Sequence, residues 1–192
     1  MLRISFKSNK GMVAAIPLFI LFGCTPPVET VKQGVYNNPA SGSYIKNVPF
    51  FPQTRHYCGP ASVASIMNFY GLSITEEETA REIYTAKLNG TLPIDILRYA
   101  RTKGFDVSYY KGSIEDMKKQ ISKGRPTILF VDLGYFAYPI RHYIVVTGYN
   151  DEMGYLIAHS GKDKDKVFSY KELQTAWEKT GFGTILIVPE GK

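Results

Sequence analysis

The stretch TRHYCGPASVASIMNFYG, residues 54–71, decides how the rest of the chain is interpreted. Apolar residues recur in it at helical spacing and Gly71 ends the run, which predicts a helix over residues 59–70. Cys58 directly precedes this helix, where free backbone N–H groups and the positive end of the helix dipole favour a thiolate. A small buried residue at the head of a core helix is the plain structural alternative. Cys58 is therefore a candidate nucleophile.

The first 23 residues have the composition of an export signal. Three cations precede an apolar run at residues 12–22, which is too short to span a bilayer as a helix. The run ends in LFGC, which resembles the lipobox of bacterial lipoproteins and implies that Cys24 is lipidated. We therefore expect a lipoprotein signal peptide at residues 1–23, with an uncleaved anchor or a plain secretory peptide as alternatives.

Residues 24–43 are predicted to join the lipid to the folded domain. They are rich in Pro, Gly, Asn and Ser, which is typical of a flexible tether, and the domain is expected to occupy residues 44–192. Lipidation predicts a location in the bacterial cell envelope, with the membrane contacted through the N-terminal lipid. Thr25 provides no acidic retention signal after Cys24, which favours an outer membrane where the host has one.

Charge and cysteine content narrow the range of functions. The formal net charge is +6, from 23 basic and 17 acidic residues. Three of the basic residues lie in the first 23 positions, so cleavage leaves 20 against 17, a net charge of +3. A charge this small gives no reason to predict a nucleic-acid partner. With Cys24 lipidated, Cys58 has no intrachain disulfide partner, and an unpaired thiol in an oxidising compartment is a candidate reactive group.

The order of predicted elements indicates an α+β domain. A strand-like YIKNVPFF at residues 44–51 opens it, and four helical patterns follow, with Thr75 and Glu78 spaced as a capping box and Ser113 as a cap. Short runs rich in Ile, Val and Tyr fill the second half, interrupted by one helical pattern at residues 170–179. This order predicts a helical half packed on an antiparallel β-sheet, with a site in the cleft between the halves.

A thiol nucleophile needs a base, and the chain has three histidines. His142 opens HYIVVTGY, a predicted strand, so it should lie at the sheet rim and face the cleft; a rim histidine bonded to backbone is the structural alternative. The side-chain amide of Gln53 and the N–H of Cys58 could stabilise an oxyanion. A metal site built from His56, Cys58, His142 and His159 is less favoured, because no pair has the spacing of a zinc site. We predict no metal and no cofactor.

The segments VPFFPQTRHYCGPASVASIMNFYG and HYIVVTGYN together resemble the papain-like cysteine peptidases of family thirty-nine, whose best-known members trim bacteriocin leaders after a double glycine. The likeness covers nearly all of residues 48–189. It implies a papain-like cysteine peptidase fold with Cys58 as nucleophile, His142 as base and Gln53 as oxyanion donor. The sequence also resembles a lipoprotein branch of this family, in which a Ser-Gly pair follows the third catalytic position.

One position departs from the family's pattern. The family usually has an Asp-Pro pair at the end of the strand after the histidine strand, where the acid orients the imidazole. Here YLIAHSG places His159 and Ser160 at that point. We expect His159 to accept a hydrogen bond from the base, although it brings no negative charge to stabilise an imidazolium. Less favoured substitutes are three turn and loop aspartates: Asp132, Asp151 and Asp163.

Two loops have ordinary interpretations beside functional ones. The aromatic loop GYFAYPIRHY could bind substrate through Tyr135, Phe136 and Tyr138, although half-exposed aromatics near a sheet edge are common. The alternating charges of GKDKDK, residues 161–166, indicate a solvated turn.

The leading hypothesis is an exported cysteine peptidase that cuts a peptide or protein of the cell envelope. Export argues against leader trimming at an ABC transporter, which takes place on the cytosolic side, and the chain has no P-loop. A lipoprotein that retains the peptidase fold and binds a peptide without cutting it is the alternative, since the usual acid is missing. Acyl transfer to an amine would use the same residues as hydrolysis.

Overall fold

The computed structural model describes residues 25–53, 56–135 and 137–191. The helices in these ranges are α1 (Val28–Asn37), α2 (Cys58–Phe69), α3 (Glu76–Ile83), α4 (Pro93–Thr102), α5 (Ile114–Ser122) and α6 (Tyr170–Glu178). The strands are β1 (Gly42–Tyr44), β2 (Tyr84–Thr85), β3 (Gly90–Thr91), β4 (Phe105–Lys111), β5 (Thr127–Asp132), β6 (Arg141–Asn150), β7 (Tyr155–Ser160), β8 (Asp163–Ser169) and β9 (Gly183–Pro189).

One antiparallel sheet forms the centre of the domain, with strand order β4-β9-β5-β6-β7-β8. The ten-residue β6 pairs with β5 through residues 141–146 and with β7 through residues 145–150. β1 pairs with β6 beyond the point where β5 ends, which places Gly42 opposite Asn150. β2 and β3 form a separate hairpin. Strand β6 therefore pairs with β5 near its start, with β1 near its end, and with β7 over its second half.

Helices cover both faces of this sheet. Successive residues of a strand point to opposite faces, so Val145 of β6 joins a core with Ile66 of α2, and Val146 joins a second core with Trp177 of α6. All four side chains are almost completely buried. The predicted α+β fold, with helices packed on an antiparallel sheet, is confirmed.

The segment expected to be a flexible tether is instead largely folded. Within residues 24–43, α1 forms over Val28–Asn37 and β1 begins at Gly42. Val31 is fully buried and Val35 nearly so, because α1 packs against the end of β6 and the turn after it. The tether prediction is wrong for these residues. The predicted signal peptide and Cys24 lie outside the described residues.

Local predictions elsewhere had mixed outcomes. The capping box of Thr75 and Glu78 at α3 and the Ser113 cap at α5 are confirmed. The predicted strand at residues 44–51 is wrong, because β1 ends at Tyr44 and residues 45–51 continue as irregular chain. Within the described residues, the structure has no helix that is both long and apolar enough to cross a membrane.

Glu76, the first residue of α3, supplies a test of stability against pH. It is 5% exposed, and its Oε1 atom has no hydrogen-bond partner among the described residues. Burial, followed by the charge of Glu77, raises the pKa of Glu76 to about 7. A raised carboxyl pKa means that the folded state holds its proton longer than the unfolded state does, so stability is lost as pH rises from 4.5 to 7.

We expect the difference in free energy of unfolding between Glu76→Gln and wild type to be constant below pH 4.5. Between pH 4.5 and pH 8 this difference should change by about 2 kcal/mol in favour of the variant. Two and a half pKa units set the upper limit of this gain, and the positive helix N-terminus offsets part of it. Urea unfolding across this pH range measures it. The matched control is Glu82→Gln, which removes an exposed carboxyl from the other end of the same helix. Parallel pH curves for wild type and Glu76→Gln would contradict the prediction.

Candidate active site

A cleft of about 410 Å³ opens where α2 and β6 begin, and the β2–β3 hairpin and the start of α4 form one wall. Three of the predicted site residues line it: Gln53, Cys58 and His142. Its other lining residues are His56, Leu88, Asn89, Gly90, Thr91, Leu92, Pro93, Phe130, Ile140, Arg141 and Tyr143. Gln53 and His142, which are 89 positions apart along the chain, therefore meet at one concave surface.

Cys58 is the first residue of α2, and Tyr57 is the N-cap. The predicted helix is confirmed, with Cys58 in its first turn instead of at the cap. Burial raises the pKa of the Cys58 thiol, and this effect outweighs hydrogen bonds from the backbone N–H groups of Tyr143 and Gly59, which stabilise the thiolate. The backbone N–H groups at the helix N-terminus act in the expected direction, and burial acts against them, so the preference for a thiolate stays a prediction.

His142 lies near the start of β6, at the rim of the sheet and partly exposed. Its Nε2 atom is 3.1 Å from Oγ of Ser160, the last residue of β7. Burial, with a smaller contribution from the charge of Lys166, lowers the pKa of His142 to about 4. The resting pair is therefore a neutral thiol and a neutral imidazole. Cys58 adjoins this histidine through the backbone N–H of Tyr143.

The structure does not bring His159 to His142. His159 is 5% exposed; its Nε2 lies 3.1 Å from the carbonyl oxygen of Val48, and its Nδ1 accepts the N–H of Asp165 at 3.2 Å. Ser160, the next residue, occupies the position beside the base that we predicted for His159. Sequence reasoning placed both residues at this point and chose the wrong one for the contact.

Gln53 reaches the cleft from the segment that follows β1. Its backbone N–H donates to the carbonyl oxygen of Gly161 at 3.1 Å, so the β7–β8 turn holds its backbone. Its side chain is half-buried and lines the cleft with Cys58. The predicted grouping of Gln53 with Cys58 and His142 is present, and the oxyanion role of Gln53 stays a prediction.

The wall formed by the β2–β3 hairpin was missed by sequence reasoning. A Cβ atom on Gly59 would come within 2.7 Å of the Thr91 side chain, so α2 and β3 approach closely next to Cys58. The hydroxyl of Tyr143, the residue after the base, donates to the carbonyl oxygen of Thr91 at 3.1 Å. Gly59 beside the cysteine was the available signal, since glycine permits such close approach.

The aromatic loop between β5 and β6 is exposed. Tyr135 and Tyr138 are 87% and 81% exposed and pair with each other in a short bridge, and neither lines the cleft itself. Phe136 lies outside the described residues. Asp132, one suggested substitute for the acid, accepts the N–H groups of Gly134 and Ile140 at 2.8 Å each and so shapes this loop. The binding role of the three aromatics stays a prediction.

The other two substitute aspartates are engaged elsewhere. Asp151 binds Lys118 at 2.6 Å, and Asp163 binds Lys166 at 3.5 Å, both at the surface. The interpretation of GKDKDK as a solvated turn is wrong for Asp165, which is 5% exposed and contacts Lys32 at 2.8 Å. Among the described residues, no cluster of three His, Cys, Asp or Glu side chains has the arrangement of a metal site.

The chain is similar to one protein family and to several solved structures. Residues 45–185 match the model of the Peptidase_C39 like family. The peptidase domain of Streptococcus ComA, a bi-functional ABC transporter, is similar at 24% identity and a TM-score of 0.60, over 75% of this chain and 100% of that chain. A C39-like peptidase from Bacillus anthracis is similar at 17% identity and a TM-score of 0.66, over 79% and 99%.

A third similar structure is the double glycine motif protease of an AMS/PCAT transporter in complex with its leader peptide. It is 19% identical, with a TM-score of 0.62, over 77% of this chain and 94% of that chain. No curated protein sequence matches this chain. At these identities the similarities establish the fold alone, and they confirm the predicted papain-like peptidase fold.

Proposed function

The chain belongs to the Peptidase_C39 like family, and on that premise we propose that it is a cysteine peptidase that hydrolyses peptide bonds. The observation that supports this proposal most directly is the meeting of Cys58, His142 and Gln53 in one cleft. A nucleophile, a base and an amide donor at a common concave surface are the groups that acyl transfer requires.

His142 acts here as a general base, because the resting thiol is neutral. In the proposed tautomer the Nε2–H of His142 donates to Ser160 Oγ, and the Nδ1 lone pair accepts the proton of the Cys58 thiol. Sulfur bonds to the substrate carbonyl carbon, and the N–H of Cys58 with the Gln53 amide stabilises the oxyanion. His142 then gives the proton to the leaving amine as the C–N bond breaks. Water, deprotonated by the same imidazole, hydrolyses the thioester and restores the thiol.

The cellular setting is part of the proposal. The cations, the apolar run and LFGC at residues 1–24 support export and lipidation at Cys24. A lipid-anchored domain in the cell envelope, with an outer membrane preferred where one exists, would meet peptides and proteins of that compartment. We therefore propose an envelope peptide or protein as substrate, bound in part by the aromatic loop at residues 135–138.

A second candidate function is peptide binding without cleavage. One observation favours it: the hydrogen-bond partner of His142 is the neutral Ser160, and among the described residues no carboxylate forms a hydrogen bond or ion pair with the imidazole to raise its basicity. Acyl transfer to an amine shares every step up to the thioester and differs in the group that accepts the acyl chain.

The test is cleavage of a complex peptide mixture. We expect the purified protein to generate new termini in a proteome-derived peptide library within one sequence context, read by mass spectrometry, and Cys58→Ala to generate none. Peptides retained by both proteins without new termini would overturn the peptidase proposal in favour of binding. New amide conjugates in place of free carboxyl termini would show acyl transfer.

A further inference from the structure

Three consecutive residues, the last two of β7 and the first of the turn after it, contact residues that form the cleft. His159 Nε2 contacts the Val48 carbonyl oxygen, Ser160 Oγ contacts His142 Nε2, and the Gly161 carbonyl accepts the N–H of Gln53, each at 3.1 Å. Residues 48–53 are thus fastened to this turn at both ends. The base and the segment that carries the oxyanion donor therefore take their positions from one short stretch, residues 159–161.

The hydrogen bonds of His159 fix its tautomer. Nδ1 accepts the backbone N–H of Asp165, so Nε2 carries the proton of the neutral ring and donates it to Val48. Burial lowers the pKa of His159, which keeps the ring neutral, and the Asp165 carboxylate stands 3.4 Å from Nδ1. The edge of His159 also packs against Phe50, with ring centroids 5.3 Å apart. The orientation of the imidazole thus depends on the place of Asp165.

Asp165 is in turn held by the N-terminal part of the chain. Its Oδ2 atom accepts from Lys32 Nζ of α1 at 2.8 Å and from the Tyr44 hydroxyl of β1 at 2.9 Å, and the Thr147 hydroxyl lies 3.5 Å from Oδ1. Burial raises the pKa of Asp165, but the hydrogen bonds from Lys32 and Tyr44 outweigh it and lower the pKa. Asp165 also has a positive φ of 55°, a strained conformation that these contacts stabilise.

Lys32 and Tyr44 lie outside residues 45–185, the part of the chain that matches the family. Helix α1 and strand β1 therefore add two partly buried polar groups to a domain whose cleft is formed by residues of the family match. Lys32 has a side chain only 12% exposed, and its ammonium stands 4.7 Å from the centroid of the Tyr44 ring. A buried ion pair of this kind is weak evidence for stability by itself, and its geometry is better explained by positioning.

We propose that Lys32, Tyr44 and Asp165 are positioning residues that act through His159 to set the Gln53 segment against Cys58. This inference rests on the proposed oxyanion role of Gln53. In the intact chain, Lys32 and Tyr44 fix Asp165, Asp165 orients His159, and His159 fastens Val48. Loss of this chain of contacts releases one end of residues 48–53 and misplaces the Gln53 amide, while the Cys58 thiol keeps its surroundings.

Two reagents separate these effects in the full-length protein. p-Nitrophenyl acetate acylates Cys58 through a tetrahedral oxyanion, whereas iodoacetamide alkylates it without one. The initial release of p-nitrophenolate gives the acylation rate, and mass spectrometry of the Cys58 peptide gives the alkylation rate. The ratio of the two rates reports the oxyanion site. We expect Lys32→Met and His159→Leu to lower the acylation-to-alkylation ratio about tenfold, because a displacement of about 1 Å in a positioned group reduces rates on this scale or more.

Two further variants test whether a lower ratio is specific to the contacts of His159: a conservative change at His159 and a change at a distant ion pair. His159→Gln places an amide N–H near the Nε2 position and should restore most of the ratio, which a merely structural role would not produce. Lys118→Met removes a more exposed ion pair elsewhere in the domain, with Asp151 at 2.6 Å, and should leave the ratio unchanged. All rates are measured where circular dichroism shows the variant folded.

The outcomes distinguish the two levels of inference. If Gln53→Ala lowers the ratio but Lys32→Met and His159→Leu do not, the positioning role is wrong and the oxyanion role stands. If Gln53→Ala leaves the ratio unchanged, the proposed oxyanion role fails, and the positioning role fails with it. If wild-type Cys58 is alkylated but is never acylated, the proposed peptidase chemistry itself is overturned.

Discussion

At pH 7.5, p-nitrophenyl acetate is expected to acylate Cys58 of the His142→Ala variant about 10²-fold to 10⁴-fold more slowly than Cys58 of wild type. This is the range that a positioned general base contributes. The reason lies in the resting protonation states. Burial holds the pKa of the Cys58 thiol above its usual value and lowers the pKa of His142 to about 4, and both shifts favour the neutral forms over an ion pair before substrate attack. The proton must leave sulfur during the attack, and His142 is placed to accept it.

A matched histidine provides the control for this prediction. His56 is exposed and lines the same cleft, so His56→Ala removes an imidazole without removing the hydrogen bond to Ser160. We expect little change in its acylation rate. Ser160→Ala should lower the rate less than His142→Ala does, because it removes an orienting contact and leaves the base. Equal losses in His56→Ala and His142→Ala would show that the base is assigned to the wrong residue.

The second large effect is on stability. The free energy of unfolding of wild type, measured relative to His142→Gln, should fall by about 3 kcal/mol between pH 7.5 and pH 4. The pKa of His142 is about 4 in the folded state, against a usual value of 6.5. Between these values the unfolded chain binds the proton that the folded protein excludes, so stability is lost as pH falls through this window. Two and a half pKa units correspond to about 3 kcal/mol.

The comparison with His142→Gln isolates this one group. The lowered pKa values of His159 and Asp165 also reduce stability toward acid, and the raised pKa of Glu76 acts in the opposite direction, but all three groups are present in both proteins. Urea unfolding monitored by circular dichroism at several pH values gives the difference. A constant difference from pH 7.5 to pH 4 would mean that burial does not lower the pKa of His142, which would contradict the neutral resting imidazole.

Much of the fold and part of the site follow from local patterns. Helix α2 was predictable because Gly71 ends a run of apolar residues at helical spacing. Cys58 before that helix and His142 at the head of a strand had to meet once the helix packed on the sheet. The meeting of Cys58 and His142 could be predicted from the residue types and from their positions at the starts of a helix and a strand. The register of the strands was not needed for it.

The contact of His142 with Ser160 instead of His159 depends on register. The pairing of β6 with β7 shifts between Val146 and Gly148, and the pairing of β7 with β8 shifts between Ala158 and Ser160. Each shift changes which residue of a strand faces a given side. Such irregularities arise from packing between strands, and the letters YLIAHSG do not reveal them.

Two other errors came from composition. Val28, Val31 and Val35 have helical spacing, but the Pro, Gly and Asn residues around them indicated a tether. Asp165 sits among alternating charges and looked solvated, although Lys32, 133 residues earlier, buries it. A buried ion pair between distant segments leaves no local pattern, so the sequence alone could not predict either partner.

The place of α1 determines which way the cleft opens. Helix α1 packs at the Asn150 end of β6, where Asn150 Nδ2 donates to the Val31 carbonyl at 3.1 Å, whereas the cleft lies at the Arg141 end. A ten-residue strand is about 30 Å long. Any support that grips the chain just ahead of Val28, whether a lipid or an engineered tag, therefore holds the domain by its far side. A ligand of the cleft would enter at the Arg141 end of β6, away from the Asn150 end where α1 packs.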